Sequence, residues 1–265
     1  MKSIKKIFKI EFILLKLNFE TILEYRLNTV FSFFGSLFYN FGAILFLSFL
    51  FNKINLISGW DKWDLILLYG VGQMLGYLYL FATHSNNQNF SSYVRNGDFD
   101  IFLTKPVNSL IYSTLRLFAY EHLIGLIQPL AIIFYAISNK FYPITIFGIF
   151  LSIISILISF IIIHFLNVLA LIPSFKILEN EFWRFYVETN DISNYPYEIL
   201  DNKFLKFTFF VIIPYALLVN IPFRALIGRL DYHLLLLQII VCIGFVVTTN
   251  FLWNLAVKNY ESASS

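Results

Sequence analysis

The sequence has 265 residues, of which 58% are hydrophobic, 20% aromatic and only 13% charged, and its formal net charge is +3. Soluble domains carry about 25% charged residues, and one compact core of this length cannot hide so much apolar surface from water. The composition therefore excludes a soluble globular domain and a disordered chain, and the single cysteine, Cys242, excludes a disulfide scaffold. It predicts an all-α integral membrane protein.

The first predicted element is an amphipathic helix over residues 1–26. Ile4, Phe8 and Phe12 recur at helical spacing, and five lysines supply a cationic side. Charges return every few residues, so this segment cannot cross a bilayer. We expect it to lie in the interface beside the lipid headgroups.

Six apolar stretches follow and form one predicted transmembrane domain over residues 27–265. Each span requires about 20 apolar residues. The predicted spans are 27–52, 65–83, 117–138, 141–175, 207–221 and 232–257. The second span is expected to end where the polar tract 84–89 begins. The connections 84–116 and 176–206 are the sizeable water-exposed parts.

The distribution of positive charge predicts the orientation of these spans. Fourteen of the 19 Lys and Arg residues fall on the side that carries both termini and the connections 84–116 and 176–206. Cytoplasmic loops are enriched in Lys and Arg. Both termini and both connections are therefore expected to be cytoplasmic.

Small residues recur at helical intervals within three of the predicted spans. Such residues let helices approach closely in lipid. They are expected to serve packing within one subunit, a dimer seam or the lining of a substrate path, and the sequence leaves these three open. The candidates are Gly35, Gly42, Gly72, Gly76, Ser152, Ser155 and Ser159.

Ionisable groups at membrane depth often mark ion or proton pathways. Glu121 and His164 are the main candidates here. Each also has a structural interpretation, because a carboxylate is favoured at a helix start and a histidine can serve packing through a hydrogen bond.

The sequence contains no His-Glu-x-x-His, Gly-x-Ser-x-Gly or P-loop string. We therefore expect no catalytic residue, no metal site and no cofactor on this chain, and no nucleic-acid partner.

The most distinctive segment is 94–108, which reads VRNGDFDIFLTKPVN. Gly97 indicates a turn, and the acidic residues that follow suit the start of a short helix. Pro106 disfavours helix at Lys105, so the helix is expected to stop there.

Five residues of this segment resemble a known loop motif. Arg95, Gly97, Asp100, Leu103 and Pro106 match the pattern in permease subunits of ABC exporters of the ABC-2 type. The chain most resembles the bacterial six-helix "ABC-2 family transporter" permeases, which have about 260 residues. Weaker matches are Phe182-Trp183, Tyr195-Pro196, Pro214, Pro222 and the ending from Tyr260 to Ser264.

This resemblance implies a permease subunit of an ATP-driven exporter in the bacterial inner membrane. It implies pairing with a second permease, either a copy or a homologous sister, and docking of ATP-binding subunits that hold ATP and Mg²⁺. It also implies a partly re-entrant connection, for which 214–229 is the candidate. The coupling loop would comprise Arg95, Asn96, Gly97, Asp98, Asp100, Leu103, Lys105 and Pro106. An ion-coupled secondary transporter and an intramembrane enzyme are the alternatives.

Overall fold

The computed structural model describes residues 26–177 and 193–260. In these ranges the chain is helical, and the one β-type contact is an isolated bridge between Ile57 and Trp60. The predicted surface helix lies outside them, apart from Arg26. The motif Phe182-Trp183 and the last five residues lie outside them as well.

Eleven α-helices occur in the described part of the chain, and we number them in order. Two short 3₁₀ turns, Ile172–Phe175 and Tyr197–Ile199, and a π-helical turn, Thr208–Ile212, accompany them. The α-helices are α1 (Arg26–Leu50), α2 (Lys62–Arg95), α3 (Asp98–Leu103), α4 (Ser109–Leu115), α5 (Glu121–Gly125), α6 (Ile127–Asn139), α7 (Ile146–Leu171), α8 (Lys203–Phe207), α9 (Tyr215–Leu218), α10 (Asn220–Leu226) and α11 (Tyr232–Lys258).

Five segments are long and apolar enough to cross a membrane. They are Val30–Leu50, Lys62–Arg95, Glu121–Asn139, Ile146–Phe175 and Tyr232–Lys258. A sixth crossing is possible by length and composition if Lys203–Ile212 and Tyr215–Leu226, which meet at a bend of 67°, count as one. The all-α membrane fold predicted from the composition is confirmed.

Helix α2 is longer than predicted, because the polar tract that was expected to end it is helical. Asn86 is fully buried, and its side chain donates to the backbone oxygen of Leu117 at 2.8 Å and accepts from the Leu117 N–H at 3.1 Å. Asn87 donates to the Tyr79 hydroxyl at 2.8 Å. These polar side chains find partners on the protein, so the helix continues to Arg95.

The predicted fifth span, 207–221, is not one helix. It breaks at Ile213, whose φ of −126° and ψ of 81° lie outside the helical region. Pro214 follows, and proline disfavours helix for the residue before it and lacks an N–H to continue the ladder. Beyond the break, α9 and α10 lie along α7, where the Leu218 oxygen accepts from the Ser159 hydroxyl. They run from the middle of α7 to its start.

Helices α2, α7 and α11 run in the same direction, which gives the bundle two distinguishable ends. Ser91 and Ser174 lie 3.0 Å apart near the last turns of α2 and α7, and the Trp253 ring of α11 contacts Phe175. We name this the α3 end, because α3 follows α2 there. The opposite end, where these three helices begin, is the Trp60 end.

The predicted connection 176–206 does not remain at one end of the bundle. Residue 176 follows α7 at the α3 end, whereas Glu198 pairs with Arg224 of α10, whose guanidinium lies 4.7 Å over the Trp60 ring. The expectation of one water-exposed connection on one side is therefore wrong for residues 193–200. The polar composition of 176–206 suggested a surface loop, but Arg224 is only 8% exposed and gives Glu198 a buried partner.

Candidate coupling site at the α3 end

Helix α3 forms because Gly97 lets the chain turn sharply after α2. The φ of Gly97 is +79°, a left-handed conformation that costs glycine little. The six residues of α3 then run to Leu103, and the helix ends before Lys105-Pro106. This agrees with the turn, short helix and stop that the sequence predicts.

One face of α3 is anchored in a cluster of aromatic rings. Phe99 is fully buried, and its ring lies 6.0 Å from Phe90 of α2, 5.0 Å from Phe175 after α7 and 6.0 Å from Trp253 of α11. Phe102, 4% exposed, contacts Phe99 at 5.9 Å. We name these five rings the aromatic joint. Through it, α3 touches the ends of three long helices at once.

The other face of α3 is open. Ile101 is 54% exposed, Leu103 41% and Val107 54%. The remaining exposed members of the predicted coupling loop are Arg95, Asn96, Asp98, Lys105 and Pro106, whereas Gly97 and Asp100 are half-buried.

The Asp100 carboxylate lies beside the Tyr260 hydroxyl, and the Tyr260 ring packs against Phe99 of the joint at 5.4 Å. Burial, followed by the Asp100 charge, raises the pKa of Tyr260.

The role of Arg116, which follows α4, could not be predicted from the sequence because it depends on three aromatic rings from other elements. Its guanidinium carbon lies 4.4 Å over the Phe102 ring and 4.8 Å over the Tyr93 ring, with Tyr112 at 5.9 Å. Such contacts attract a cation to the ring face. Arg116 therefore ties α3, through Phe102 of the aromatic joint, to α2 and α4.

The glycine candidates fall into two groups. A Cβ added at Gly72 would lie 1.8 Å from Asn194 Oδ1, so α2 and the segment 193–200 approach closely there. A Cβ added at Gly35 or Gly42 would meet no other described atom within 4 Å, apart from the backbone of α1 itself. Gly76 is half-buried on α2.

The serine candidates on α7 face α11. Ser155 donates to Gln238 Oε1 at 2.8 Å, and Gln238 donates to the Ser159 hydroxyl at 2.8 Å. Ser152 is 4% exposed on the same face. These contacts join α7 to α11 within the chain.

The two ionisable candidates, Glu121 and His164, lie in different environments. Glu121 is exposed at the first position of α5, where a carboxylate favours the helix dipole. His164 is 4% exposed, lies 3.4 Å from the Thr114 hydroxyl through Nε2 and stacks on Phe160. Across 26–177 and 193–260, no three His, Cys, Asp or Glu side chains form a group that could hold a metal ion.

A hydrogen-bonded cluster joins α1 to the bundle. Its residues are not among the candidates predicted from the sequence. Asn40 donates to Gln128 Oε1 at 2.7 Å and accepts from the Tyr69 hydroxyl at 2.7 Å, and Gln128 donates to Ser36 at 2.8 Å. Asn40 and Gln128 are 4% and 7% exposed. Only their tertiary placement distinguishes these amides from surface ones.

Charged groups close the Trp60 end. Lys140 Nζ lies 2.7 Å from Asp61 Oδ2 and 2.7 Å from Asp64 Oδ1, linking the start of α2 to the connection between α6 and α7. Burial alone would raise the pKa of Asp61, but the hydrogen bonds from Lys140 and the backbone outweigh it, so the pKa lies below its usual value.

Comparison with protein families gives a match over most of the chain. The model of the family described as "ABC-2 family transporter protein" matches residues 37–264. The chain belongs to this family.

This ABC-2 chain is a membrane component of an ABC transporter, and the resemblance seen in residues 95–106 is confirmed. It is a multi-pass membrane protein, and the family's part in transport is a permease and not the catalytic subunit. Comparison with curated proteins and with solved structures gives no match.

Proposed function

We propose that this ABC-2 permease is the membrane subunit of an ATP-driven exporter and that the outward face of α3 docks on a separate ATP-binding subunit. The observation that carries the proposal is the two-sided character of α3. Phe99 and Phe102 anchor one side, while Ile101, Leu103 and Val107 lie open at the end of the bundle. Apolar residues exposed on an anchored helix, rimmed by charges, are typical of a protein interaction site.

The aromatic joint supplies a route from this contact to the spans. A push on α3 moves Phe99 against rings at the ends of α2, α7 and α11. Packed interiors are dense and transmit displacement as rigid shifts of elements. ATP and Mg²⁺ would be held by the partner, whose closure would favour one arrangement of the spans over another.

The outer surface of α1 supports pairing with a second permease, either a second copy or a homologous sister. Phe31, Phe38 and Phe49 are each more than 60% exposed, and Gly35 and Gly42 present flat helix surface between such side chains. Small residues of this kind let a second helix approach closely. The rest of this surface would face lipid.

We further propose that the protein lies in the bacterial inner membrane with the α3 end and both termini in the cytoplasm. ATP-binding subunits work in the cytoplasm, so a docking face at the α3 end requires this orientation. The basic residues Arg95, Lys105, Arg116, Lys176 and Lys258 at this end agree with the positive-inside rule.

The test is recovery of the ATP-binding subunit with the tagged permease. Ile101→Asp combined with Leu103→Asp should reduce the recovered ATPase subunit and its hydrolysis roughly tenfold, since apolar anchors at an interface contribute most of the affinity. Lys258→Asp, an exposed charge change at the same end, should leave both unchanged. Equal recovery from both variants and the unmodified protein would refute docking on α3.

A further inference from the structure

Five polar side chains lie buried at one level near the α3 end, and we name them the polar layer. Thr83 and Asn87 belong to α2, Thr114 to α4, and His164 and Asn167 to α7. Each is less than 5% exposed. They come from three helices that are distant in sequence.

The register of α2 against α7 places these residues together. The ring centroids of Tyr79 and Phe160 lie 6.3 Å apart, and the hydroxyls of Ser91 and Ser174 lie 3.0 Å apart. The helices are therefore parallel, and Asn87, between these two contacts, falls within about one turn of the level of Asn167. The Thr114 hydroxyl lies 3.4 Å from His164 Nε2 and brings α4 to the same level.

Three atoms of the layer have no hydrogen-bond partner on the protein. They are Asn87 Oδ1, His164 Nδ1 and Asn167 Oδ1. Burying such an atom unpaired costs about 1–3 kcal/mol. Other buried amides, such as those of Gln128 and Gln238, have hydrogen-bond partners for both their nitrogen and their oxygen.

We propose that the polar layer is a hydrated section of the substrate path, and that α2 and α7 part at this level in another state of the transport cycle. When the helices separate, the three atoms can form hydrogen bonds with water, which removes the free-energy cost of burying them unpaired. The assignment of these residues to a substrate path rests on the proposed function.

The chemistry of the layer indicates which groups of a substrate it would hold. Two amide oxygens accept hydrogen bonds, two hydroxyls and an imidazole can donate or accept, and no described ion pair involves any of the five residues. Phe160 stacks on His164 and adds an apolar wall. The layer therefore suits neutral hydroxyl or amide groups on an otherwise apolar molecule.

Labelling of single cysteines tests this opening. In a Cys242→Ala background, Asn167→Cys and Val168→Cys place thiols on adjacent residues that are 1% and 0% exposed. The whole transporter, in membranes of cells that make it, is treated with a water-soluble maleimide, with and without a non-hydrolysable ATP analogue. We expect Asn167→Cys to react at least tenfold faster than Val168→Cys, and the analogue to change its rate.

Thr114→Cys is a second reporter in case Asn167→Cys fails to accumulate, and it should behave in the same way. Fast labelling of Asn167→Cys that does not respond to the analogue would support the path but count against ATP-driven opening. Equal rates at positions 167 and 168, whether fast or slow, would overturn the polar layer as a path. The docking experiment on α3 is unaffected by that result.

Discussion

At the scale of single residues, Gly72 and Gly35 differ in the space around them, although they lie on neighbouring helices. At Gly72, an added Cβ would lie 1.8 Å from Asn194 Oδ1 and 3.4 Å from Val219 Cγ1. At Gly35, no described side chain or neighbouring helix lies within 4 Å of that position. The first glycine is required by the fold of this chain, and the second is free for contact with lipid or a partner.

Gly72→Ala should therefore destabilise the protein, while Gly35→Ala should not. Overpacking of a tight site costs about 1–3 kcal/mol, whereas alanine at an open helical position is favourable by up to about 1 kcal/mol. Thermal unfolding of the two variants in the same detergent measures this. A melting temperature for Gly72→Ala at or above that of the unmodified protein would mean that Asn194 moves aside freely.

At the scale of elements, α1 is held to the bundle by the hydrogen-bonded cluster around Asn40 and Gln128. Most of its large apolar side chains are exposed, and Asn40 with Gln128 forms its buried link to α6. Interhelical hydrogen bonds are worth about 0.6–2 kcal/mol in membranes, and an amide left alone in a dry interior is unfavourable. The amide pair therefore sets where α1 sits along the bundle.

Gln128→Leu should lower the melting temperature, because the Asn40 NH₂ group loses its acceptor, although Tyr69 still donates to the Asn40 oxygen. Asn40→Leu together with Gln128→Leu should cost less than the sum of the two single changes, since the hydrogen bond between the two amides is lost only once. Ser138→Ala, an exposed position on α6, is the control. Additive losses in the double variant would show that the two amides act independently.

The sequence predicts the long helices well because apolar length alone decides them. Spans 27–52 and 232–257 correspond closely to α1 and α11, and Gly97 with Lys105-Pro106 places α3. The predictions fail where contacts between distant parts of the chain determine the structure. The path of residues 193–200 depends on Arg224, more than twenty positions later, and the polar layer depends on the packing of three separate helices. Neither leaves a local pattern.

At the scale of the whole molecule, different interactions hold the helices together at the two ends of the bundle. Lys140 with Asp61 and Asp64, and Arg224 with Glu198, join elements at the Trp60 end. The α3 end is held by aromatic rings. Ion pairs weaken when a partner loses its charge, whereas ring contacts do not. Changes in pH should therefore act first at the Trp60 end.

Acid should loosen the Trp60 end. The folded pKa of Asp61 lies below its usual value, so the stability from this carboxylate is present at neutral pH and is lost as the pH falls from about 4 through the folded pKa. Lys140→Met removes the partner of Asp64, which is 2% exposed, and should cost about 3–5 kcal/mol at pH 7.

Unfolding followed from pH 7 to pH 3 distinguishes these effects. The unmodified protein should lose stability in acid, whereas Lys140→Met should lose less or recover, since protonation removes the Asp61 charge that has lost its ion-pair partner. Lys53→Met, an exposed lysine near the same end, should follow the unmodified protein. Curves that coincide for all three proteins would show that Lys140 has no stabilising role.

The length of α2 has a mechanical consequence. Its 34 residues span about 51 Å, whereas the hydrocarbon core of a bilayer is about 30 Å thick. The helix is therefore roughly 20 Å longer than the hydrocarbon core is thick, and α3 follows its last turn. A displacement applied to α3 would therefore tilt α2 as one stiff body. The last turns of α2, which carry α3, also carry Thr83 and Asn87 of the polar layer, so shortening this end of the helix would change the coupling and the proposed path together.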